Sequence, residues 1–284
     1  MKIKEAVDFI RGYLPDASSG VFNSSGIRVA GCDGIKYGDP EQECTGIVCT
    51  VFASVDVIHK AKELGANLIV THEGTFFSND DSTDWLKENR VYLEKKKILD
   101  ENNTVILRIH DAMHMHPTSC DYISCGIAEK LGWTQYAVDD QKKPSFFRLP
   151  ETTGLELAKR IIEKCRLNGI RVLGDLNRKV STVFFGIHFF GVIFEGKPDK
   201  DKISSIADAQ PDVVILGETV DYTINAYAHD AAALGIAPLV FEYGHFNWEE
   251  PGMLFAEKWI SESLNHQIPV FPVQSGDAFS YVVK

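Results

Sequence analysis

Three short stretches of this chain set imidazole and carboxylate groups directly behind apolar runs. Thr71-His72-Glu73-Gly74 follows Ala66-Asn67-Leu68-Ile69-Val70. His110-Asp111-Ala112-Met113-His114-Met115-His116 follows Thr104-Val105-Ile106-Leu107-Arg108-Ile109. Gly244-His245-Phe246-Asn247-Trp248-Glu249 follows Pro238-Leu239-Val240-Phe241-Glu242-Tyr243. Neutral imidazole and carboxylate suit borderline divalent cations such as zinc, iron, nickel and manganese. A cation held with an open position can lower the pKa of a bound water and orient it for attack. One such stretch would mean little. Three in equivalent positions, each at the expected end of a buried strand, predict a convergent site, because open α/β sheets bind their ligands there.

Each stretch also has a plainer reading. Neighbouring side chains on a strand point to opposite faces, so His72 and Glu73 share a pocket only if a turn, for which Gly74 is suited, follows the strand. Glu73 alone would equally suit a helix N-terminus. His110 and His114 are four apart, with Asp111 as a competing carboxylate, yet the same residues fit a loop of exposed histidines. His245 and Glu249 are also four apart and face one ion if that turn is helical, and a Glu carboxylate can bridge two ions. Pro251 and Gly252 fit the first turn of the helix that follows. His59, His188, His229 and His266 fall within or beside regular elements and read as packing or surface residues. No phosphate-binding loop, nucleophile elbow or dinucleotide fingerprint is present.

The elements that must position these groups alternate along the chain. Residues 45–53 read as a strand, and 54–64 as a helix with Ser54 as N-cap and Gly65 as its stop. Residues 67–70 and 104–109 read as strands, 84–99 as a helix, and 119–131 as a helix ending at Gly132. This βαβαβα order predicts a largely parallel sheet. Residues 137–150 are polar and proline-flanked and read as a connection between lobes. The second half repeats the scheme, with helices over 153–165, 201–209, 220–234 and 250–264. Its strands are expected over 181–190, 212–216, 238–243, 268–272 and 279–283. The expected organisation is an α/β fold of two packed lobes with mixed, largely parallel sheets. One lobe would be residues 1–136 with 236–284 returning to it; the other would be 145–235.

Composition narrows the partners. The chain has 284 residues, enough for a sizeable core in one large domain or two lobes. Its formal net charge of −11 argues against nucleic acid, whose binders carry a basic footprint. No apolar run approaches the roughly 18 residues of a membrane span. Residues 1–14 form an amphipathic helix pattern through Ile3, Ala6, Val7, Ile10 and Leu14, without the features of a signal peptide. A cytoplasmic chain with reduced cysteines is expected. Cys44/Cys49 and Cys120/Cys125 are each five apart, which matches no zinc-ribbon spacing.

Taken together, these features resemble the Nif-three-like dinuclear metal-binding family, many of whose members bear the name GTP cyclohydrolase 1 type 2 homologue. The resemblance covers nearly the whole chain. It rests on Ser25-Gly26-Ile27-Arg28-Val29, the run into His72, the helix ending at Gly132, Gly174-Asp175, Ile215-Leu216-Gly217-Glu218, and Gly244-His245 with Glu249. It implies two α/β lobes, a pair of divalent ions (zinc, iron, manganese or nickel), and a ring-shaped homohexamer; this chain resembles the short form, without a central inserted domain. It also implies a metal-dependent hydrolase of the cyclohydrolase kind acting on a small molecule, with a non-enzymatic metal-delivery, scaffold or regulatory role as the alternative. Two positions depart from the family pattern. Glu73 stands where a second histidine is usual, and His114 where an aspartate is usual. By carry-over, His72, His114 and Glu249 would hold one ion, and Glu73, His245 and Glu249 the other, with Glu249 bridging. His110 would lie just outside the ligands, where it could orient a ligand, act as general acid/base or bind substrate, and Glu249 would take part in the chemistry.

Overall fold

The computed structural model describes residues 1–15, 21–22, 28–29, 31–115, 121–139, 144–189, 203–204, 211–236 and 238–283. Ser25, Gly26, Ile27, His116, Cys120, Lys142, Lys143 and all but two residues of the expected helix over 201–209 lie outside the described residues. The chain divides into two compact units. One comprises residues 1–21, 28–126 and 252–275; the other comprises 22–27, 127–251 and 276–284.

In the first unit, helix α1 (Ile3–Tyr13) buries Ile3, Ala6, Val7 and Ile10, the stripe its sequence shows. Two short strands follow, β1 (Val21–Phe22) and β2 (Arg28–Val29). The sheet is built from β3 (Gly34–Tyr37), β4 (Ile47–Thr50), β5 (Leu68–Thr71), β6 (Val105–Arg108) and β12 (Val270–Pro272), in the order β12-β4-β5-β6-β3. All neighbours are parallel except β3, which pairs antiparallel with β6. Every residue of β4, β5 and β6 is buried, which is why these strands are nearly unbroken apolar runs rather than alternating ones. Ser54 caps α2 (Val55–Glu63) by accepting from the Val57 N–H at 3.2 Å, and Gly65, at φ 71°, turns the chain out of it. Val48, Ile58, Ile69, Leu99 and Ile106 join these strands and helices in one core.

The helix expected over 84–99 is broken. A 3-10 turn spans Asp84–Leu86, and α3 (Arg90–Glu101) starts afresh because the Asn89 side chain accepts from the Tyr92 N–H. Short helix α4 (Asp111–His114) follows β6 directly, and α5 (Tyr122–Leu131) ends at Gly132, whose φ is 76°.

The second unit carries its own sheet, from β7 (Phe146–Thr153), β8 (Arg171–Leu173), β9 (Lys179–Phe189), β10 (Val213–Thr219) and β11 (Leu239–Glu242). Their order is β7-β9-β10-β11-β8. The three central strands are parallel, and β7 and β8 are antiparallel edges. Helix α6 (Gly154–Cys165) begins at Thr153, whose hydroxyl accepts from the Glu156 N–H. Three expectations change here. Residues 146–150 are strand rather than connection, because Phe147 is fully buried against Trp133 and Phe185. Residues 279–283 form no strand; Val282 and Val283 are exposed. The helix expected over 220–234 is a π-helical turn, Asp221–Asn225, followed by α7 (Ala226–Ala233).

The long helix α8 (His245–Ser263) starts five residues before its expected beginning at Glu250, so Pro251 lies inside it rather than in its first turn. The Trp248 N–H already bonds the Gly244 carbonyl at 3.0 Å, and the Asn247 amide bonds the Tyr243 carbonyl at 2.6 Å, which fixes the early start. The fold is therefore a mixed α/β architecture with two mixed, largely parallel sheets.

Candidate metal centre

Parallel strands end on one edge, and in both units that edge carries the histidines. In the first unit β5 and β6 end at Thr71 and Arg108, and His72 and His110 lie immediately beyond. One turn of α4 then brings His114 back over His110. The ring centroids lie 4.3 Å apart for His72–His110, 5.1 Å for His72–His114 and 5.2 Å for His110–His114. One nitrogen from each of the three rings lies within 4.8 Å of the others.

The rings are oriented from behind. His72 Nδ1 lies 3.2 Å from the Ile109 carbonyl, His110 Nδ1 3.0 Å from Asp111 Oδ1, and His114 Nδ1 2.9 Å from Asp121 Oδ2. An acceptor on Nδ1 fixes the tautomer, raises the basicity of the ring and leaves Nε2 as the atom a metal would take. The acceptors are themselves held. Asp121 also accepts from the Ser124 N–H at the start of α5. Asp33 accepts from the backbone N–H groups of His110, Asp111 and Ala112, which pins the first turn of α4. The imidazole of His110, then the backbone N–H of Cys32, hold the Asp111 carboxyl down at about 2. The Cys32 thiol, 3.6 Å from the same carboxylate, is pushed up to about 12 by burial and remains a protonated donor.

Glu73 sits beside this cluster under a different constraint. Its Oε2 lies 3.3 Å from the guanidinium of fully buried Arg108, and its Oε1 3.6 Å from His110 Nε2. Arg108 also donates to Asp81 at 3.1 Å, to the Asn79 carbonyl at 2.6 Å and to the His72 carbonyl at 3.0 Å. Glu73 is thus a counter-charge to Arg108 with one oxygen turned toward His110.

The second unit repeats the scheme on its own sheet. His188 and Glu218 are the penultimate residues of β9 and β10, and His245 opens α8 just after β11. His188 and His245 stack with centroids 3.7 Å apart and 9° between planes. Both point Nε2 at the buried Glu249 carboxylate, at 3.2 Å and 3.4 Å, and His245 Nδ1 lies 3.4 Å from Glu218 Oε1. The imidazole of His245 lowers the Glu218 carboxyl below its usual range. Gly217 makes room for the stack: a Cβ there would meet the His188 ring at 2.3 Å.

Within the units, the structure therefore groups His72 with His110 and His114, and His245 and Glu249 with His188. His110, expected just outside the ligands, is one of a trio of imidazoles. His188 was missed by sequence reasoning, although it is the penultimate residue of its strand. Phe76 and Trp248, which flank the motifs, are core residues, and Trp248 packs edge-on to Phe185. The donor set fits a divalent cation: imidazole nitrogens with anchored far sides, and in the second unit a carboxylate.

In both units the parallel strands thus end in histidine and carboxylate groups that could hold a metal ion. This chain belongs to the Duf34/NIF3 (NGG1p interacting factor 3) family, whose profile matches residues 1–276. A GTP cyclohydrolase 1 type 2 homolog of Clostridium perfringens (strain 13 / Type A) is 23% identical over 301 residues, spanning 99% of this chain and 100% of that protein. A protein of the same name from Clostridium acetobutylicum is 24% identical and spans 93% of this chain. Among solved structures, a Bacillus cereus protein related to NIF3 superposes with a TM-score of 0.71 at 13% identity, covering 99% of both chains. A Staphylococcus aureus hypothetical protein does so with a TM-score of 0.69 at 17% identity, again over 99% of both. These likenesses show the fold.

Proposed function

We propose that this chain binds divalent metal at both clusters and uses it as a hydrolase of small molecules. The observation that supports this reading best is the backing of His72, His110 and His114 on Nδ1 by Ile109, Asp111 and Asp121. Each ring is held from one side by its own acceptor, as metal-ligating imidazoles are. On this reading His72, His110 and His114 are ligands in the first unit, and His188, His245 and Glu249 in the second. Glu73 faces His110 with one oxygen while Arg108 holds the other. Zinc, iron, nickel and manganese all suit such donors. A bound ion of this kind supplies a Lewis acid and an activated water near neutral pH.

The protein's own part is to orient and to move protons. Asp121 and Asp111 keep two rings in one tautomer. Glu73, with one oxygen fixed by Arg108, is placed to accept a proton near His110. Attack of water at a purine carbon, the cyclohydrolase chemistry, rests on the names of the clostridial relatives alone. A homohexamer in the cytoplasm belongs to the same reading, and sedimentation velocity showing a monomer would remove the oligomer from it. The test is to load the purified protein with manganese, zinc or iron and assay nucleotides, cyclic imides and phosphoesters. Turnover that is lost in both His72→Ala and Glu249→Ala supports the hydrolase. Turnover that survives both substitutions sinks it.

A further inference from the structure

A second set of donors meets in the first unit, on the far nitrogen of His110 from the imidazole trio. The Cys32 thiol, one oxygen of Asp111 and one nitrogen of His110 all lie within 4.8 Å of one another. Cys32 Sγ stands 3.6 Å from Asp111 Oδ1, and the same oxygen lies 3.0 Å from His110 Nδ1. Two ligands of one tetrahedral ion, with bonds of about 2.3 Å to sulfur and about 2.0–2.2 Å to nitrogen or oxygen, stand roughly 3.4–3.6 Å apart. The Cys32–Asp111 edge already has that length, and the His110–Asp111 edge needs to open by roughly 0.4 Å. The backbone holds these donors together. The Cys32 N–H bonds Asp111 Oδ2 at 3.2 Å, and the next residue, Asp33, accepts from the N–H groups of His110, Asp111 and Ala112.

The His110 ring gives an independent reason to expect a cation there. A carboxylate faces each of its nitrogens: Asp111 Oδ1 at Nδ1, and Glu73 Oε1 3.6 Å from Nε2. Neutral imidazole carries a single N–H, so one nitrogen meets a carboxylate with no proton between them. A cation on that side removes the repulsion. With an ion at Nδ1, the ring keeps its proton on Nε2 and turns it toward Glu73. The thiol makes that cation a metal ion rather than a second proton, because thiolate is a strong ligand for soft ions. The charges agree. Asp111 and Asp33 both stand by the thiol, with Asp33 Oδ1 4.0 Å from Sγ, while the Arg108 guanidinium is committed to Glu73 and Asp81.

We propose that Cys32, Asp111 and Nδ1 of His110 form a separate seat for a thiophilic divalent cation of the cadmium class, which His110 serves in alternation with the trio. Loading this seat breaks the Cys32 S–H bond and forms a sulfur–metal bond. The thiol proton goes to solvent, and the His110 proton moves from Nδ1 to Nε2. A thiolate selects soft ions over manganese. The seat forms whether or not the trio holds metal.

The probe is cadmium chloride, titrated into the metal-free, full-length protein and followed by thiolate-to-cadmium absorption in the ultraviolet. The expected band saturates at about one ion per chain, is lost in Cys32→Ser and is kept in His114→Ala, which breaks only the trio. Cadmium affinity at this seat should fall roughly tenfold or more in Asp111→Asn, which keeps the shape of the side chain and decides the matter if Cys32→Ser does not fold. No band in wild type, a band that survives Cys32→Ser, or unchanged affinity in Asp111→Asn would overturn the proposal. So would loss of the band in His114→Ala, since the ion would then belong to the trio. Protein first loaded with manganese should release it as the band grows, read by the free-manganese resonance signal. Manganese that stays bound at full cadmium occupancy would overturn the alternation. Failure of manganese to bind at all would count against the metal trio and leave the cadmium titration to decide this seat.

Discussion

At the scale of the residue, the chemistry depends on groups that stand one hydrogen bond behind the proposed ligands. Asp121 touches His114 and caps the first turn of α5, so it links ring orientation to helix position. Asp121→Asn is expected to lower metal affinity about 10- to 100-fold, the usual cost of losing such a support. Chelator competition measures this; unchanged affinity would deny Asp121 the role. Gly217 is the counterpart in the second unit. Gly217→Ala puts a methyl into the His188 ring and is expected to remove one equivalent of metal while leaving the first cluster loaded. Retention of all the metal in that variant would mean that His188 is not a ligand. A cationic residue at the end of an apolar run, as Arg108 is, gives no hint in the sequence of its partners. Folding buries it completely between Glu73 and Asp81.

At the scale of the element, two helices set the approach of the site residues. In the first unit, Gly252 of α8 lies against Ile123 of α5, and a Cβ there would sit 2.6 Å from the Ile123 Cα. Alanine is the better helix former by about 1 kcal/mol. Overpacking against backbone costs about 1–3 kcal/mol, so a net loss of stability is expected for Gly252→Ala, together with weaker metal binding through the displaced Asp121. Denaturant unfolding showing a gain would refute this packing argument. The strands that carry His72, His110 and His245 were legible because strands buried on both faces are apolar runs with abrupt polar ends. His188 was not, because β9 is an eleven-residue strand of mixed character whose end does not stand out. The early start of α8 was hidden by Pro251, which suggested a first turn but lies in the seventh position of the helix. The grouping of His110 with His72 depends on the register of β5 against β6, which sequence patterning does not set.

At the scale of the whole molecule, stability is tied to pH through a lysine that the function does not use. Lys95 is 2% exposed, donates to the Thr75 carbonyl at 2.6 Å and lies 4.4 Å from the centre of the Phe52 ring. Desolvation outweighs these contacts and lowers its pKa from 10.5 to about 8. Between those two values the unfolded chain binds the proton more tightly, so stability attributable to Lys95 rises as pH rises from about 8 toward 10.5 and the charge cost is fully present below 8. The gain is about 3 kcal/mol. It is read as the difference between wild type and Lys95→Met, in which other titrating groups cancel; a flat difference would contradict it. No helix among the described residues is long and apolar enough to cross a membrane. The claim on which the functional reading turns is that the histidine clusters hold metal, and elemental analysis of the purified, reconstituted protein tests it most directly. The expected result is about two ions per chain in wild type, falling to about one in His114→Ala and in His245→Ala. Wild-type protein that retains no metal after reconstitution, or variants that retain as much as wild type, would contradict it.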